Sequence, residues 1–282
     1  VRTDREAEAP VRQLLPVGRR ILMANQRLLP IKNGYNFRDL GGYPTADGHQ
    51  IKWHRLIRTG SLAHLDQNDL TVLDNIPISL DIDLRAPDEV KKDPDRVPSQ
   101  AKYYHLPVFE ADETDASHSD EEIAAQMQQP GNGYHHMIDV YHRMTTAASA
   151  KQAYQKLFNL LLNNERGALL FHCTGGKDRT GMAAYLILSA LGLEQKIIME
   201  DYLLTNTVTQ DFRNHWLQDM RNHGASEALV TNRAALASVA PDYLNTATKN
   251  ITQTYGNINQ YLNNYLDITP TEIKDLRKLY LD

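Results

Sequence analysis

The only cysteine of the chain, Cys173, lies in a polar segment, HCTGGKDRTG, that spans residues 172–181. An apolar run, GALLF, precedes this segment, and a longer one, MAAYLILSALGL, follows it. This order is typical of a buried strand that is followed by a buried helix. The free N–H groups of a helix N-terminus, together with the helix dipole, bind anions. We therefore expect residues 172–181 to form an anion-binding loop around the cysteine.

The residue types of this loop suit phosphate chemistry. Two glycines, Gly175 and Gly176, let the backbone curl tightly and approach a ligand. The planar guanidinium of Arg179 can donate to two phosphate oxygens at once. A thiol at a helix N-terminus beside a cation ionises more readily than a free thiol, so Cys173 is expected to attack phosphorus as a thiolate. The residues expected to surround the phosphate are Thr174, Gly175, Gly176, Lys177, Asp178 and Arg179.

Three neighbours of the cysteine are expected to support it. Thr180 could donate a hydrogen bond to the sulfur and help it to leave. A thiolate that is already formed needs no base, so we interpret His172 as structural, orienting the loop through hydrogen bonds. Lys177 either adds positive charge at the mouth of the pocket, where it would meet a second anionic group of the substrate, or faces solvent.

The loop matches the His-Cys-x5-Arg-Ser/Thr signature of cysteine-based protein tyrosine phosphatases. In this version it resembles the bacterial enzymes of the secreted mycobacterial and listerial type, which also act on phosphoinositides. Four other segments are similar to motifs of that subgroup: NFRDLGGY (36–43), RTGSL (58–62), DLRAPDEV (83–90) and DYLLTN (201–206). A bare Cys-x5-Arg is a weak signal, but this set in this order is specific. The resemblance runs from about residue 30 to the end and implies a tyrosine-phosphatase-like fold, a phosphocysteine intermediate and no cofactor.

The resemblance also bears on the acid that protonates the leaving group. Many tyrosine phosphatases use an aspartate on a separate mobile loop, whereas this subgroup is thought to use the aspartate of the phosphate loop, here Asp178. A thiolate and a phosphate dianion nearby would favour the protonated form of Asp178, and Lys177 and Arg179 would oppose it. The residues alone leave open that Asp178 only anchors the loop. Asp112 and Asp115 of the acidic insert are the rival acids.

Four further residues are candidates for supporting the site. By resemblance, Asp83 helps to hold or tune the phosphate loop, although a structural ion pair of Asp83 with Arg85 is equally consistent with the sequence. We interpret Arg38 and Asp39 as a structural pair that buttresses the site rather than contacting substrate.

Composition excludes several classes of protein. A net charge of -5 argues against general nucleic-acid binding. No run of 18 apolar residues is present, so no stable membrane insertion is expected. A histidine-rich stretch around 135–142 lacks metal-ligand spacing, and we expect no metal. A first residue of Val leaves open whether the protein is cytoplasmic or secreted.

The elements that position the loop follow from periodicity. Strict alternation in ISLDIDLR (78–85) predicts a strand, and DGHQIKW suggests a short hairpin strand. DQNDLTVLDNI predicts a helix capped by Asp66 or Asn68. A series of helices is predicted after residue 180, with breaks near Gly224, Pro241, Gly256 and Pro270.

We expect an α/β fold with a central, mainly parallel sheet flanked by helices on both faces and a helical C-terminal part. Residues 1–30 are predicted to form an N-terminal arm and residues 31–282 one phosphatase domain. Within it, residues 110–133 are predicted to form a lid, which could be helical, or a mobile insert.

The predicted function is phosphotyrosine hydrolysis, with phosphotyrosine proteins as substrates and inorganic phosphate as product. One alternative is a phosphoinositide phosphatase with phosphotyrosine as a side activity. A non-catalytic phosphate-binding module is disfavoured because Cys173, Asp178 and Arg179 are all present. Sulfur or arsenate transfer is disfavoured because the chain has no second thiol.

Overall fold

The computed structural model describes residues 27–114, 127 and 129–282. Within these ranges five strands form one sheet: β1 Arg38–Asp39, β2 Leu56–Thr59, β3 Ile78–Asp83, β4 Lys102–His105 and β5 Ala168–His172. The strand order is β1-β2-β5-β3-β4, with β1 antiparallel to β2 and every other pairing parallel. The prediction of a central, mainly parallel sheet is confirmed.

The central strand β5 is buried on both faces, which explains why its sequence is continuously apolar. Leu169 and Phe171 pack into the larger of two hydrophobic clusters. Ala168 and Leu170 point to the opposite face and pack into the smaller cluster. Because side chains alternate along a strand, one short apolar run joins both halves of the core.

Eleven helices lie in the described part of the chain. They are α1 Gln67–Asp74, α2 Pro87–Lys92, α3 Asn132–Arg143, α4 Ala148–Leu162, α5 Arg179–Leu191, α6 Gln195–Val208, α7 Gln210–Asn222, α8 Glu227–Ala237, α9 Pro241–Tyr255, α10 Ile258–Asn264 and α11 Pro270–Tyr280. The predicted helical C-terminal part and its breaks are confirmed, since Pro241 and Pro270 begin helices and Gly256 caps one.

Local capping decides where the first helix begins. The Asp66 side chain accepts hydrogen bonds from the N–H groups of Asn68 and Asp69, so Asp66, and not Asn68, is the N-cap of α1. Every residue of α5 is buried, as its all-round apolar sequence predicted. This helix follows β5 after one short loop, and that loop contains Cys173.

The short hairpin strand suggested in DGHQIKW is confirmed only in part: Ile51 N donates to Tyr43 O at 3.0 Å and Thr45 N donates to His49 O at 2.8 Å, but no continuous strand forms. The structure has only isolated antiparallel bridges there, between Pro44 and Gln50 and between Ile51 and Leu281. Ile51 also pairs with Leu281 at the far end of the chain, a contact that local sequence cannot reveal. No helix of the described residues is both long and apolar enough to span a membrane.

Two predicted regions fall largely outside the described residues. Of the arm predicted over 1–30, the structure describes only residues 27–30. Of the lid or insert predicted over 110–133, it describes residues 110–114, 127 and 129–133, so Asp115 lies outside. Both regions, and the domain boundaries that they set, stay predictions.

Candidate active site

The loop of residues 173–178 leaves the carboxyl end of β5 and enters the N-terminus of α5. Parallel α/β sheets place ligands at this edge. Asp178 is the N-cap residue of α5, but its side chain makes no capping hydrogen bond. The N–H groups of the first turn therefore receive no hydrogen bond from the Asp178 carboxylate, which is used elsewhere.

Of the two loop glycines, only Gly176 is required by the backbone. Its φ is +64°, and a Cβ there would lie 2.3 Å from the carbonyl oxygen of Thr59. At Gly175 a Cβ would meet nothing closer than the Lys177 Cγ, at 3.5 Å. The prediction that both glycines allow a tight curl holds for Gly176 and not for Gly175.

The carbonyl oxygen of Gly176 is held by two side chains from distant segments. It accepts from Asn36 Nδ2 at 2.7 Å and from Arg58 Nη2 at 3.0 Å. Asn36 belongs to the NFRD segment and Arg58 to RTGSL, so two of the motifs meet under the loop. Neither residue was singled out from the sequence, although both lie in motifs that it did identify.

A third motif anchors these contacts through a buried carboxylate. Asp201 of α6 accepts from Arg38 Nε at 3.0 Å and from Arg58 Nη1 at 2.6 Å. All three side chains are at most 1% exposed. Burial opposes the charge on Asp201, but the two guanidinium groups hold its pKa below its usual value. The loop is thus tied to α6 through a charge-paired network.

The predicted pairing of Arg38 with Asp39 is wrong. Adjacent residues of a strand point to opposite faces, so the two side chains cannot meet. Asp39 instead accepts from the N–H groups of Gly41 and His54, at 2.7 and 2.8 Å. Arg38 does buttress the loop, but through Asp201.

Arg85 and Asp83, at the end of β3, form the ion pair that the sequence allowed. Arg85 Nη2 lies 2.7 Å from Asp83 Oδ2 and 2.5 Å from Asp95 Oδ2. Burial works against the charge of Asp83, while His172 and Arg85 lower its pKa. Asp83 therefore sits beside the phosphate loop as a permanent anion.

His172 is fully buried among these carboxylates. Its Nε2 lies 3.3 Å from Asp95 Oδ2 and 3.4 Å from Asp81 Oδ1. Its Nδ1 lies 3.3 Å from the carbonyl oxygen of Cys173. Burial opposes protonation, but Asp83, Asp95 and Asp81 together raise the pKa of His172 to about 10. A cationic His172 that contacts the loop backbone agrees with the predicted structural role.

The same cluster has the donor types of a metal site, because ligand atoms of Asp83, Asp95 and His172 lie within 4.8 Å of one another. However, Arg85 already contacts both carboxylates, and the protonated imidazole supplies a second positive charge. We therefore assign this cluster to charge pairing.

Arg179 is oriented by a glutamate that the sequence did not single out. Glu89 of α2 receives Arg179 Nη2 at 2.9 Å and also contacts Nη1. Thr114 Oγ1 lies 3.0 Å from Nη2, and Asp112 Oδ1 lies 3.9 Å away. The buried Nε of Arg179 has no hydrogen-bond partner among the described residues. This donor is available to a bound oxyanion.

Glu89 connects three parts of the site. It accepts from the N–H of Ala86, which caps α2, and from the hydroxyl of Thr174 in the loop. The spacing Ala-Pro-Asp-Glu in DLRAPDEV could have marked Glu89 as the N3 residue of a capped helix. Asp112, a predicted rival acid, lies within reach of the same guanidinium.

Both oxygens of the buried Asp178 carboxylate are occupied. Tyr141 of α3 donates to Oδ1 at 3.0 Å, and Lys177 Nζ lies 2.5 Å from Oδ2. Tyr202 of α6 donates in turn to the Tyr141 hydroxyl at 2.8 Å. Lys177 is only 8% exposed, so it does not simply face solvent.

The Thr180 hydroxyl has no partner among the described residues, and its predicted bond to the sulfur is not made.

A cleft of about 290 Å³ opens beside the loop, at Thr174 and Gly175. Its walls come from Tyr35 and from helices α6 to α8. Tyr35 and Phe212 stack with ring centroids 5.0 Å apart, and Arg233 lies over the ring of Trp216. The cationic side chains that line the cleft are Lys177, Arg213 and Arg233. An anionic group attached to an aromatic or ring-shaped body fits these walls.

Comparisons with known proteins agree with this geometry. Residues 29–282 match the model of a family described as the tyrosine phosphatase family. A Cupriavidus necator protein, provisionally named a tyrosine-protein phosphatase, is 30% identical over 252 residues, or 87% of this chain and 85% of its own. The triple specificity protein phosphatase PtpB of Mycobacterium tuberculosis is 28% identical over 258 residues, or 82% of this chain and 91% of its own.

Proposed function

Since the chain belongs to the tyrosine phosphatase family and is a phosphoric monoester hydrolase, we propose that it cleaves phosphotyrosine through a phosphocysteine intermediate on Cys173. One observation carries this proposal. The single cysteine lies at the entrance of an uncapped helix N-terminus, in the same loop as a buried guanidinium with a free Nε donor. A nucleophile, an anion cradle and a cation in one short segment are the parts that this mechanism requires.

In the first step the Cys173 thiolate attacks phosphorus in line with the ester oxygen. The S–P bond forms as the P–O bond breaks, and the electron pair of that bond goes to the leaving phenol oxygen. The loop N–H groups and Arg179 hold the equatorial oxygens, where charge accumulates in the transition state. Glu89 supports this role because it fixes the plane of the guanidinium.

Asp178 is the proposed general acid and gives its proton to the leaving oxygen. In the unliganded site Lys177 occupies Asp178 Oδ2. A phosphate dianion in the loop would compete with this carboxylate for the Lys177 ammonium and so leave Oδ2 open towards the ester oxygen. In the second step Asp178 takes a proton from water as that water attacks phosphorus and the thiolate leaves.

Phosphotyrosine is the favoured substrate because aromatic side chains wall the cleft beside the loop. Tyr35 and Phe212 are partly exposed and already stack on each other. A phenyl ring bound at the loop could make the same contact. Phosphoserine and phosphothreonine have no ring and would not gain this stacking contact.

A second candidate, a phosphoinositide phosphatase, is favoured by Arg213. Its hydrogen-bond partners among the described residues are the neutral oxygens of Asn206 and Thr209. Burial lowers the pKa of this guanidinium, as expected for a cation without a counter-ion. With Lys177 it could bind a second phosphate of an inositol ring.

The experiment that tests the mechanism compares hydrolysis of phenyl phosphate and 2,4-dinitrophenyl phosphate by wild type, Cys173→Ser and Asp178→Asn. We expect Cys173→Ser to lose at least about 10⁴-fold on both, since the nucleophile is removed. Acid quenching of the wild type should trap a phosphorylated protein that Cys173→Ser does not form. Retained turnover by Cys173→Ser would refute the phosphocysteine mechanism.

Asp178→Asn should lose about 100-fold or more in kcat/KM on phenyl phosphate and far less in kcat/KM on 2,4-dinitrophenyl phosphate, because this ratio reports the first step and an acidic leaving phenol needs no proton there. An equal loss on both substrates would show that Asp178 is structural. The acidic residues of the 110–122 insert, with Asp112 first, would then be the candidates for the acid.

A further inference from the structure

A chain of buried hydroxyl groups ends on the proposed general acid. Tyr202 Oη donates to Tyr141 Oη at 2.8 Å, and Tyr141 Oη donates to Asp178 Oδ1 at 3.0 Å. Both tyrosine rings are at most 1% exposed. Burial, followed by the charge of Asp178, raises the pKa of both hydroxyls well above the usual value. The two groups are therefore protonated at neutral pH.

In the structure this chain runs from Tyr202 through Tyr141 to Asp178. A tyrosine hydroxyl has one proton to donate. Tyr202 gives its proton to Tyr141, and the proton of Tyr141 is then directed at Asp178. Oδ1 of Asp178 must accept this hydrogen bond, so it cannot itself carry a proton that points towards Tyr141.

The two oxygens of Asp178 consequently have different surroundings. Oδ1 faces the interior and Tyr141. Oδ2 faces Lys177, whose side chain lines the cleft beside the loop. A carboxylic acid whose proton sat on Oδ1 would donate into the protein core. A proton on Oδ2 would instead lie on the side of Lys177, which lines the cleft beside the loop.

We propose that Tyr141, oriented by Tyr202, is the positioning residue of the general acid: it occupies Oδ1 of Asp178, so that the transferable proton resides on Oδ2. This inference rests on the proposed role of Asp178 as the acid. When the P–O bond breaks, the proton moves from Oδ2 to the leaving oxygen. Asp178 is left as a carboxylate whose Oδ1 is still held by Tyr141.

The test is Tyr141→Phe, which removes only the hydroxyl. We expect kcat/KM on phenyl phosphate to fall about tenfold or more and kcat/KM on 2,4-dinitrophenyl phosphate to change less than about threefold. This ratio reports the step in which the P–O bond breaks, and only the phenyl ester needs the acid in that step. A purely structural tyrosine would affect both substrates alike.

Two further variants separate positioning from packing. Tyr243 packs on the Tyr141 ring at 5.9 Å, but its hydroxyl lies 3.4 Å from the carbonyl oxygen of Ala235. Tyr243→Phe is therefore the matched control and should leave both rates unchanged. Tyr202→Phe should also slow the reaction of phenyl phosphate selectively, but by less than Tyr141→Phe does. Without the hydrogen bond from Tyr202, the Tyr141 hydroxyl could rotate and point its proton away from Asp178.

The decisive comparison is the double variant Tyr141→Phe/Asp178→Asn. If Tyr141 acts only through Asp178, the double variant should be no slower on phenyl phosphate than Asp178→Asn, within about twofold. Additive losses, or an equal loss on both substrates for Tyr141→Phe, would overturn the inference while Asp178→Asn still identifies the acid. If Asp178→Asn itself loses equally on both, the acid role fails, and the positioning role fails with it.

Discussion

At the residue scale, Arg179 depends on Glu89, which is 2% exposed and contacts both terminal nitrogens of the guanidinium. Glu89→Gln keeps the shape of the side chain but removes its charge. Because it leaves a buried cation unpaired, we expect unfolding to become easier by about 3 kcal/mol. We also expect kcat/KM for phenyl phosphate to fall by about 10 to 100-fold.

The matched control for Glu89→Gln is Asp88→Asn, which removes the charge of the preceding, exposed residue of α2. It should change stability by less than about 1 kcal/mol, the usual contribution of a charge near a helix N-terminus. Thermal unfolding and phenyl phosphate turnover measure both variants. Equal effects of the two substitutions would mean that Glu89 acts through the helix and not through Arg179.

The loop glycines provide a second prediction at this scale. Gly176→Ala forces a Cβ to 2.3 Å from a backbone oxygen at a φ of +64°, so we expect a loss of about 2–4 kcal/mol. Gly175→Ala should change the free energy of unfolding by less than about 1 kcal/mol, since its Cβ fits and the unfolded chain loses entropy. Denaturant unfolding compares the two. Equal losses would show that the tight backbone is not the cause.

The residues of the loop could be predicted because all of them lie within one segment of ten residues, 172–181. The sequence did not predict Glu89, Tyr141 or Asn36, which reach the loop from elements far away in the chain. Tyr141 in particular has the spacing of a core residue on a helix face, and nothing in its own segment distinguishes it from Tyr154. Side-chain convergence of this kind is a property of the fold and has no local signal.

At the element scale, the carboxyl ends of β3 and β5 bring His172 among three buried carboxylates. Its pKa is raised to about 10, against about 6.5 in the unfolded chain. The stability that protonated His172 contributes is thus fully present below about pH 6.5 and is lost as pH rises towards 10. Between these values the loss is about 1.4 kcal/mol per pH unit.

His172→Gln measures this contribution. The variant should be less stable than wild type at pH 7, and the difference in unfolding free energy should shrink by about 2–3 kcal/mol between pH 7 and pH 9. A difference that does not change with pH would show that His172 is neutral in the folded protein. If the variant does not fold, NMR titration of labelled histidine in the wild type gives the same answer directly.

Elements with a strong local pattern were predicted well. Strand β5 has a continuous apolar run because both of its faces are buried, and helix α5 is apolar on all sides because every residue of it is buried. Asp66 was correctly placed among the candidate caps. The hairpin near Ile51 was predicted only in part: its pairing with Tyr43 is local, but its second partner, Leu281, is about 230 residues away. Pairing across such a distance depends on the packing of α11, which the local pattern does not encode.

At the scale of the whole molecule, the cleft joins the loop to α7 and α8, and its two kinds of wall should separate the two candidate substrates. Phe212 is 55% exposed and stacks on Tyr35, so Phe212→Ala should raise KM for a phosphotyrosine peptide about tenfold. The same substitution should change KM for a soluble inositol phosphate by less than about threefold. Arg213→Gln should instead raise KM for the inositol phosphate and leave KM for the peptide nearly unchanged, because a second phosphate needs the cation and a phenyl ring does not.

Arg221 offers the control for this pair, since it is a half-exposed arginine of the same helix, paired with Glu227 and absent from the cleft. Arg221→Gln removes the same charge and should leave KM for both substrates within about twofold. If Arg213→Gln and Arg221→Gln weaken inositol phosphate binding equally, the effect is the overall charge of α7, and the cleft has no second anion subsite. If only Phe212→Ala matters, the aromatic wall decides the substrate, and the enzyme acts on phosphotyrosine.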